Sequence, residues 1–337
     1  MKSVADYGTL GTANDAPVFQ AALDDARANK FGLTVPNGTF NLGAPLNYIT
    51  TDTNQFTPGI TLVGEGAEKT ILNNTHGGID LVIGTNAASK FQRHGLIEGI
   101  TFAGLGTGPK LTNVYHQQLH GLHIRDKTNH GLYIPTLLGD PDACNMVSLD
   151  QVNISNCKKW GIFGEVAAGR NELSFLSLRN VFIQDCGEVA SGLGGGMYWR
   201  GQQLGMDEVA FVRNANRGLY IEGGAGLGSD VSGRNVTFEN NLSIHLQCYG
   251  IKGMVFDALQ LYSNDQYKTS YGIRVDAQSS VATNILVRSG TVRATPGNTP
   301  HTAFLAFGAN QSNCKAQNIT WDNYDHPGQT RLNGFTA

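Results

Sequence analysis

Residues 209–222 read Val-Ala-Phe-Val-Arg-Asn-Ala-Asn-Arg-Gly-Leu-Tyr-Ile-Glu. An apolar-x-apolar triplet, Val209-Ala210-Phe211, is followed by a polar turn at Arg213-Asn214. A second alternating segment, GLYIE at 218–222, comes next. Period-two alternation marks a half-buried strand, because successive side chains point to opposite faces. The unit recurs. Its triplet returns at Ile100-Thr101-Phe102, Leu122-His123-Ile124, Val152-Asn153-Ile154 and Val181-Phe182-Ile183. Beyond 211 it reappears at Val236-Thr237-Phe238, Leu259-Gln260-Leu261, Gly290-Thr291-Val292 and Ile319-Thr320-Trp321. Successive copies lie between 22 and 31 residues apart. The second segment also repeats, as GLYIP (131–135), GIFGE (161–165), GMYWR (196–200), SIHLQ (243–247) and GIRVD (272–276). A third short apolar segment closes several units, at Leu173/Phe175, Leu204/Met206, Met254/Phe256 and Ile285/Val287.

Three short strands per unit cannot bury an apolar face singly. Stacked as coils they enclose one continuous core. The spacing therefore predicts an all-β right-handed parallel β-helix, a solenoid. A two-sheet sandwich would need hairpin turns, and tight Asn-Gly hairpin signals are rare here. Composition agrees. Gly makes up 43 of 337 residues, about 13% against a usual share of roughly 7%. Charged residues are 15%, well below the usual share of about 25%. This disfavours a helix-rich chain, and the 40% hydrophobic content disfavours disorder. Lys+Arg 24 against Asp+Glu 27 argues against a nucleic-acid partner. No apolar run approaches the ~18 residues of a membrane span, so no membrane partner is expected. Residues 1–15 lack the apolar core of a secretion signal.

The N-terminus differs from the repeats. Residues 15–27 read as a helix, capped by Asp15, with Pro17 in its first turn. Phe19, Ala22, Leu23 and Ala26 fall on one apolar face, suited to covering the first coil. One domain is expected over 1–337: a cap over 1–45, coils over about 46–325 and a tail over 326–337. The five cysteines form no C-x-x-C pair and read as buried small hydrophobes. Cys157 and Cys186 occupy equivalent turns, where thiols and asparagines would stack as ladders. His116, His120 and His123 lie close in sequence, but they fall partly on a strand without helical zinc spacing. Gly224-x-Gly226-x-Gly228 precedes a strand and so lacks the context of a dinucleotide site. No metal and no cofactor are expected.

Asp6-Tyr7-Gly8, the helix at 15–27, Val35-Pro36-Asn37-Gly38-Thr39-Phe40 and Ile60-Thr61-Leu62-Val63-Gly64-Glu65-Gly66 together resemble the start of the pectate-lyase-like β-helix superfamily. That group includes polygalacturonases, pectate lyases, alginate-modifying enzymes and phage tailspike depolymerases. The loop after Gly8 departs from its usual paired-Asp pattern and reads Gly11-Thr12-Ala13-Asn14-Asp15. The resemblance implies the fold and action on a polysaccharide, outside the cell or on a virion. Its tailspike branch implies a homotrimer. It transfers no catalytic residue.

The residues supply candidates independently. In the second segments Leu132/Ile134, Met197/Trp199, Leu219/Ile221 and Ile273/Val275 should point inward. Two outward columns remain: Tyr133, Phe163, Tyr198, Tyr220, His245, Arg274, and Pro135, Glu165, Arg200, Glu222, Gln247, Asp276. Aromatic rings stack on the apolar face of a sugar, and acids or arginine bind its polar groups. Glycoside hydrolysis needs two carboxyl groups. Glu222 is the first candidate, with Glu165 or Asp276 as its partner two coils away. Tyr133, Phe163, Tyr198, Arg200, Tyr220, His245 and Arg274 are the candidate substrate contacts. The expected activity is endo-glycoside hydrolysis, with a tailspike-type depolymerase as one form of it. A metal-independent lyase is the alternative, drawing a base from Tyr198, Tyr220 or His245 and neutralising charge from Arg200, Arg217 or Arg274. A non-catalytic glycan-binding or virion structural module is the third reading. If chains assemble, Asp207 and Glu239 become rival acids.

Overall fold

The computed structural model describes residues 1–50, 56–85, 91–135, 144–165, 173–189, 192, 194–223, 230–249, 251, 253–263, 271–276, 284–294, 303–307, 314–316 and 319–322. The expected C-terminal tail and the Gly224–Gly228 motif lie outside the described residues.

One coil explains the rest. Gln203–Val212 is a strand of a 19-stranded sheet. A turn then delivers the chain to Arg217–Glu222 in a 10-stranded second sheet. The next strand, Asp230–Glu239, lies parallel to Gln203–Val212, in register from Gln203↔Asp230 to Val212↔Glu239. Repetition of this step gives a right-handed parallel β-helix. A three-stranded third sheet, Phe56–Pro58, Phe91–Arg93 and Val114–Tyr115, lines the first coils.

The apolar triplets fill the core as their alternation requires. Val209, Phe211, Val236 and Phe238 are buried, and the rings of Phe211 and Phe238 stack 5.0 Å apart at 9°. Leu219 and Ile221 face them from the second sheet and are also buried. Each such side chain contributes about 1.5–3 kcal/mol by leaving water.

The third segments are not separate strands in the middle coils. Leu204 and Met206 begin the same strand that carries Val209 and Phe211. The bend between the two halves falls on a residue in the left-handed region. Gln151, Asn180, Glu208, Asn235 and Ala258 stack there with φ of 52° to 57°. At 173–175 the expected phase was also wrong. Leu176 and Leu178 align with Leu204 and Met206 and are buried, whereas Phe175 aligns with exposed Gln203 and faces out.

The helix runs over Ala16–Asn29 and buries Phe19, Ala22, Leu23 and Ala26, the expected face. Asp15 occupies the N-cap position but makes no cap bond. Its buried carboxylate instead accepts from the Thr12 and Asn41 backbone N–H groups, tying the loop to a strand. The helix covers an edge that would otherwise recruit another chain. Gln20 brackets Asn47 through both its amide groups, and Arg27 donates to the Ile49 carbonyl at 2.7 Å.

The turns between the sheets send one residue inward per coil: Lys127, Cys157, Cys186, Asn214 and Asn241, all buried. Asn214 donates to the Asn241 side-chain oxygen at 2.9 Å, and the Cys186 N–H donates to that of Asn214 at 3.1 Å. Cys144, Cys157, Cys186 and Cys248 are buried free thiols. The expected Cys and Asn ladder is present. Lys127 meets the equally buried Asp80 at 2.6 Å.

Candidate functional site

The outer face of the second sheet carries the sequence-derived columns, with one slip. Tyr133↔Phe163, Phe163↔Tyr198 and Tyr198↔Tyr220 are backbone partners in successive coils. The next partner of Tyr220 is Gln247, not His245, and Gln247 in turn pairs with Arg274. In the second column Pro135 pairs with Glu165 and Glu222 with Tyr249, which pairs with Asp276. Arg200 follows Trp199, itself the partner of Gly164 and Ile221, and so lies between Glu165 and Glu222. The Asp276 side chain lies outside the described residues.

His245 is therefore not a surface contact. It is 1% exposed and sits at the position held by Gly131, Gly161, Gly196 and Gly218 in earlier coils. A Cβ at those glycines would point at core groups, Phe238 and the Asn241 amide in the case of Gly218. The His245 ring takes this inward direction. Its Nδ1 faces the Asn241 amide at 3.1 Å and its Nε2 the Ser263 hydroxyl at 3.0 Å. It closes the asparagine ladder.

The aromatic column is longer than expected and is stacked on itself. His130 lies on Phe163 at 4.3 Å and 7°, and Phe163 contacts Tyr198 at 5.0 Å. Trp160 packs on Tyr198 at 5.7 Å, and Tyr198 meets Tyr220 edge-on at 5.4 Å. Lys110 caps Tyr133 at 5.7 Å, and the Arg217 guanidinium lies 5.0 Å over Tyr220. Ring faces thus largely stack on one another along the axis. Ring edges and hydroxyls are what they leave for a ligand. His130, Trp160 and Lys110 sit beside the expected columns. The apolar alternation could not find them, because they precede or neighbour the strands it identifies.

The carboxylates are poised differently. The Tyr198 hydroxyl donates to Glu222 Oε2 at 2.7 Å. Burial, and then the charge of Glu222, drive the Tyr198 phenol far above its ordinary value, so it stays protonated. Burial and Glu165 likewise raise Tyr133. Burial pushes His130 down to about 4, leaving a neutral ring at physiological pH. Glu165 is exposed. Among the described residues no ion pair joins Glu165 or Glu222 to Arg200, and the Arg200 Nε is buried without a hydrogen-bond partner.

The rival acids are engaged. Asp207 is held by both Nε and Nη2 of Arg234, at 2.8 and 2.5 Å, and Glu239 accepts from the Asn240 amide. The three neighbouring histidines diverge. His116 stacks on Tyr115, His120 faces Asp150 and His123 faces Ser155. Among the described residues no group of three His, Cys, Asp or Glu is placed to hold a metal ion. None of their helices is long and apolar enough to cross a membrane.

The fold and this face define a right-handed parallel β-helix with an aromatic and carboxylate ladder along one sheet. No protein-family model and no curated protein matches the chain in sequence. The likeness is one of structure. The A-module of mannuronan C-5 epimerase AlgE4 from Azotobacter vinelandii superposes with a TM-score of 0.65 at 14% identity, over 100% of this chain and 99% of that one. Tailspike protein 2 of an Escherichia coli O157:H7 bacteriophage gives 0.65 at 10% identity, over 93% of this chain and 42% of that one. Gene product 12 of bacteriophage phi29 gives 0.55 at 12% identity, over 95% and 52%. The chain thus spans nearly all of the epimerase module but about half or less of each phage protein. At these identities the likeness is one of fold alone.

Proposed function

We propose that the protein is a polysaccharide-cleaving enzyme, an endo-glycoside hydrolase that works outside the cell or on a virion. The observation that carries this reading is Glu222. It is an outward carboxylate that accepts from the Tyr198 hydroxyl, free of any cation partner among the described residues, with Glu165 two coils away. Strands stack ~4.8 Å apart, which separates their backbones by roughly 9–10 Å. A modest lean of the side chains reaches the ~6.5–9.5 Å at which two carboxyls invert an anomeric centre.

The roles follow from the surroundings. The Tyr198 hydroxyl holds the Glu222 carboxylate in place. Glu222 is then the base that takes a proton from the attacking water, and Glu165 the acid that protonates the leaving oxygen. Asp276, two coils beyond Glu222, is the other candidate acid. Arg200 binds substrate hydroxyls or carboxylates between the two acids, and Tyr133, Phe163, Tyr220 and Arg274 line the groove. The fold shared with a mannuronan epimerase and a tailspike supports a glycan substrate.

One observation favours a lyase as the second reading. Arg217 lies over the Tyr220 ring, which sets a cation beside a phenol, the pairing that a lyase needs at a uronate carboxylate. Tyr198 and Tyr133 argue the other way, since their phenols are held protonated.

The test is a panel of capsular, plant and algal polysaccharides. We expect new reducing ends without an unsaturated, ultraviolet-absorbing product. Glu222→Gln should lower turnover at least ~100-fold with the fold retained. An unsaturated product would establish the lyase instead. No oligosaccharide release from any polymer would leave a binding module.

A further inference from the structure

A cleft of about 470 Å³ opens on a different face, at the outer side of the first sheet. It is built where four successive coils enter that sheet. Gln118 starts one strand, Asn145 and Met146 precede Val147–Ser155, Phe175 starts the next and Gln203 the one after. Alternation sorts these segments. Val147, Leu176 and Leu204 are buried in the core, while Ser148, Phe175 and Gln203 turn toward the cleft.

Three features of the lining point one way. Phe175 is 38% exposed on this surface, an aromatic ring with no core to fill. The side chains of Gln118, Asn145, Ser148, Ser174 and Gln203 bond to no other described residue, so their amides and hydroxyls remain available. Among the described residues no carboxylate and no Lys or Arg lines the cleft. His116 is the one titratable group among its described lining residues, and burial, His94 and Arg93 all favour the neutral ring. Further along the sheet, Arg179 pairs with Asp150 at 2.5 Å.

We propose that this cleft is a second glycan-binding site, specific for an uncharged stretch of sugar, which holds the polymer without cleaving it. Uncharged amides and hydroxyls match the hydroxyls of a neutral saccharide, and an exposed ring matches the apolar face of a pyranose. Coils advance ~4.8 Å along the axis. A sugar ring spans a comparable length, so successive units of a chain lying along the axis meet Gln203, Phe175 and Asn145 in turn. Its described lining carries no pair of carboxyls of the kind glycoside hydrolysis uses. The proposal does not depend on which chemistry the other face performs.

The experiment is calorimetric titration of the whole protein with four neutral probes: cellohexaose, maltohexaose, laminarihexaose and xylohexaose. At least one should bind. Phe175→Ala should weaken that binding at least about tenfold through loss of ring stacking. The pair Gln118→Ala/Gln203→Ala should weaken it comparably. These side chains are exposed, so the variants should keep the parent circular dichroism spectrum. Glu222→Gln should bind the same probe unchanged, which separates this site from the carboxylate face. Failure of the parent to bind all four probes would overturn the proposal, as would undiminished binding by Phe175→Ala. A fall in oligomeric mass on Phe175→Ala would also overturn it, by making the cleft a contact between copies.

Discussion

Replacing Lys127 with Met probes a fully buried ion pair inside the solenoid. Lys127 and Asp80 are both fully buried, 2.6 Å apart. The Lys127 ammonium also donates to the Ala103 carbonyl at 2.8 Å, and Asp80 accepts from the Asn74 amide at 2.7 Å. Burial pushes the Asp80 carboxyl from 3.8 up to about 6, against the opposing pull of Lys127 and Asn74. That difference corresponds to about 3 kcal/mol of folded-state preference for the protonated acid. A raised folded value means the folded protein binds this proton more tightly than the unfolded chain. The resulting stability is complete below about pH 4 and is lost as pH rises through about 6. Met removes the cation and leaves Asp80 with Asn74 alone. Breaking a buried pair in this way costs about 3–5 kcal/mol while the survivor is charged. The stranded carboxyl escapes by taking a proton, so its value climbs further and the deficit depends on pH. Urea midpoints of parent and Lys127→Met, followed by circular dichroism, should differ more at pH 8 than at pH 5, by at least about 2 kcal/mol. Arginines hold the half-buried Asp150 and Asp207 low, and their opposite pH dependence cancels in that difference. The double variant Asp80→Asn/Lys127→Met should recover most of the loss and flatten the pH dependence. A deficit equal at both pH values would refute a buried charged Asp80.

Leu219→Asp should unfold or aggregate the protein by burying an unpaired charge, whereas Tyr220→Ser should leave it folded; equal damage on thermal melts would contradict the strand phase. Tyr198→Phe keeps the ring packed but removes the donor that orients Glu222, so turnover should fall about tenfold with an unchanged circular dichroism spectrum; parent-like turnover would contradict a positioning role for this hydrogen bond. Cys144, Cys157, Cys186 and Cys248 should react with a thiol reagent only on unfolding, since all four are buried and burial raises the Cys186 thiol well above its ordinary value.

The coil period, the capping helix and the four-ring column were legible because each depends on side-chain periodicity alone. Val209 and Phe211 must face inward if the strand is half-buried, whatever lies beyond it. Tyr133, Phe163, Tyr198 and Tyr220 could be aligned because each follows Gly and an inward apolar residue. The left-handed residues at the strand bends were not legible. Gln151, Asn180, Glu208, Asn235 and Ala258 share a backbone conformation but no side-chain chemistry. The bend is imposed by closing the coil, and no residue type marks it.

His245 shows where alternation fails as a ruler. In SIHLQ it stands between two apolar residues, so alternation alone puts it outside. Alternation is unchanged by a slip of two residues, however, and a slip of two is what separates the expected alignment from the observed one. The missing measure is distance from the preceding turn. Lys127 to Gly131, Cys157 to Gly161 and Asn214 to Gly218 each span four residues, and so does Asn241 to His245. Counting from the inward turn residue puts the imidazole where glycine normally lets the chain pass close to the core. Two polar partners, Asn241 and Ser263, then meet the buried ring. The same count moves Gln247 beneath Tyr220 and Tyr249 beneath Glu222. The groove around Glu222 therefore gains Tyr249 beside Tyr198 and Tyr220 and loses the expected histidine. The corrected register thus changes which side chains border the Glu222 carboxylate without changing its place on the outer face.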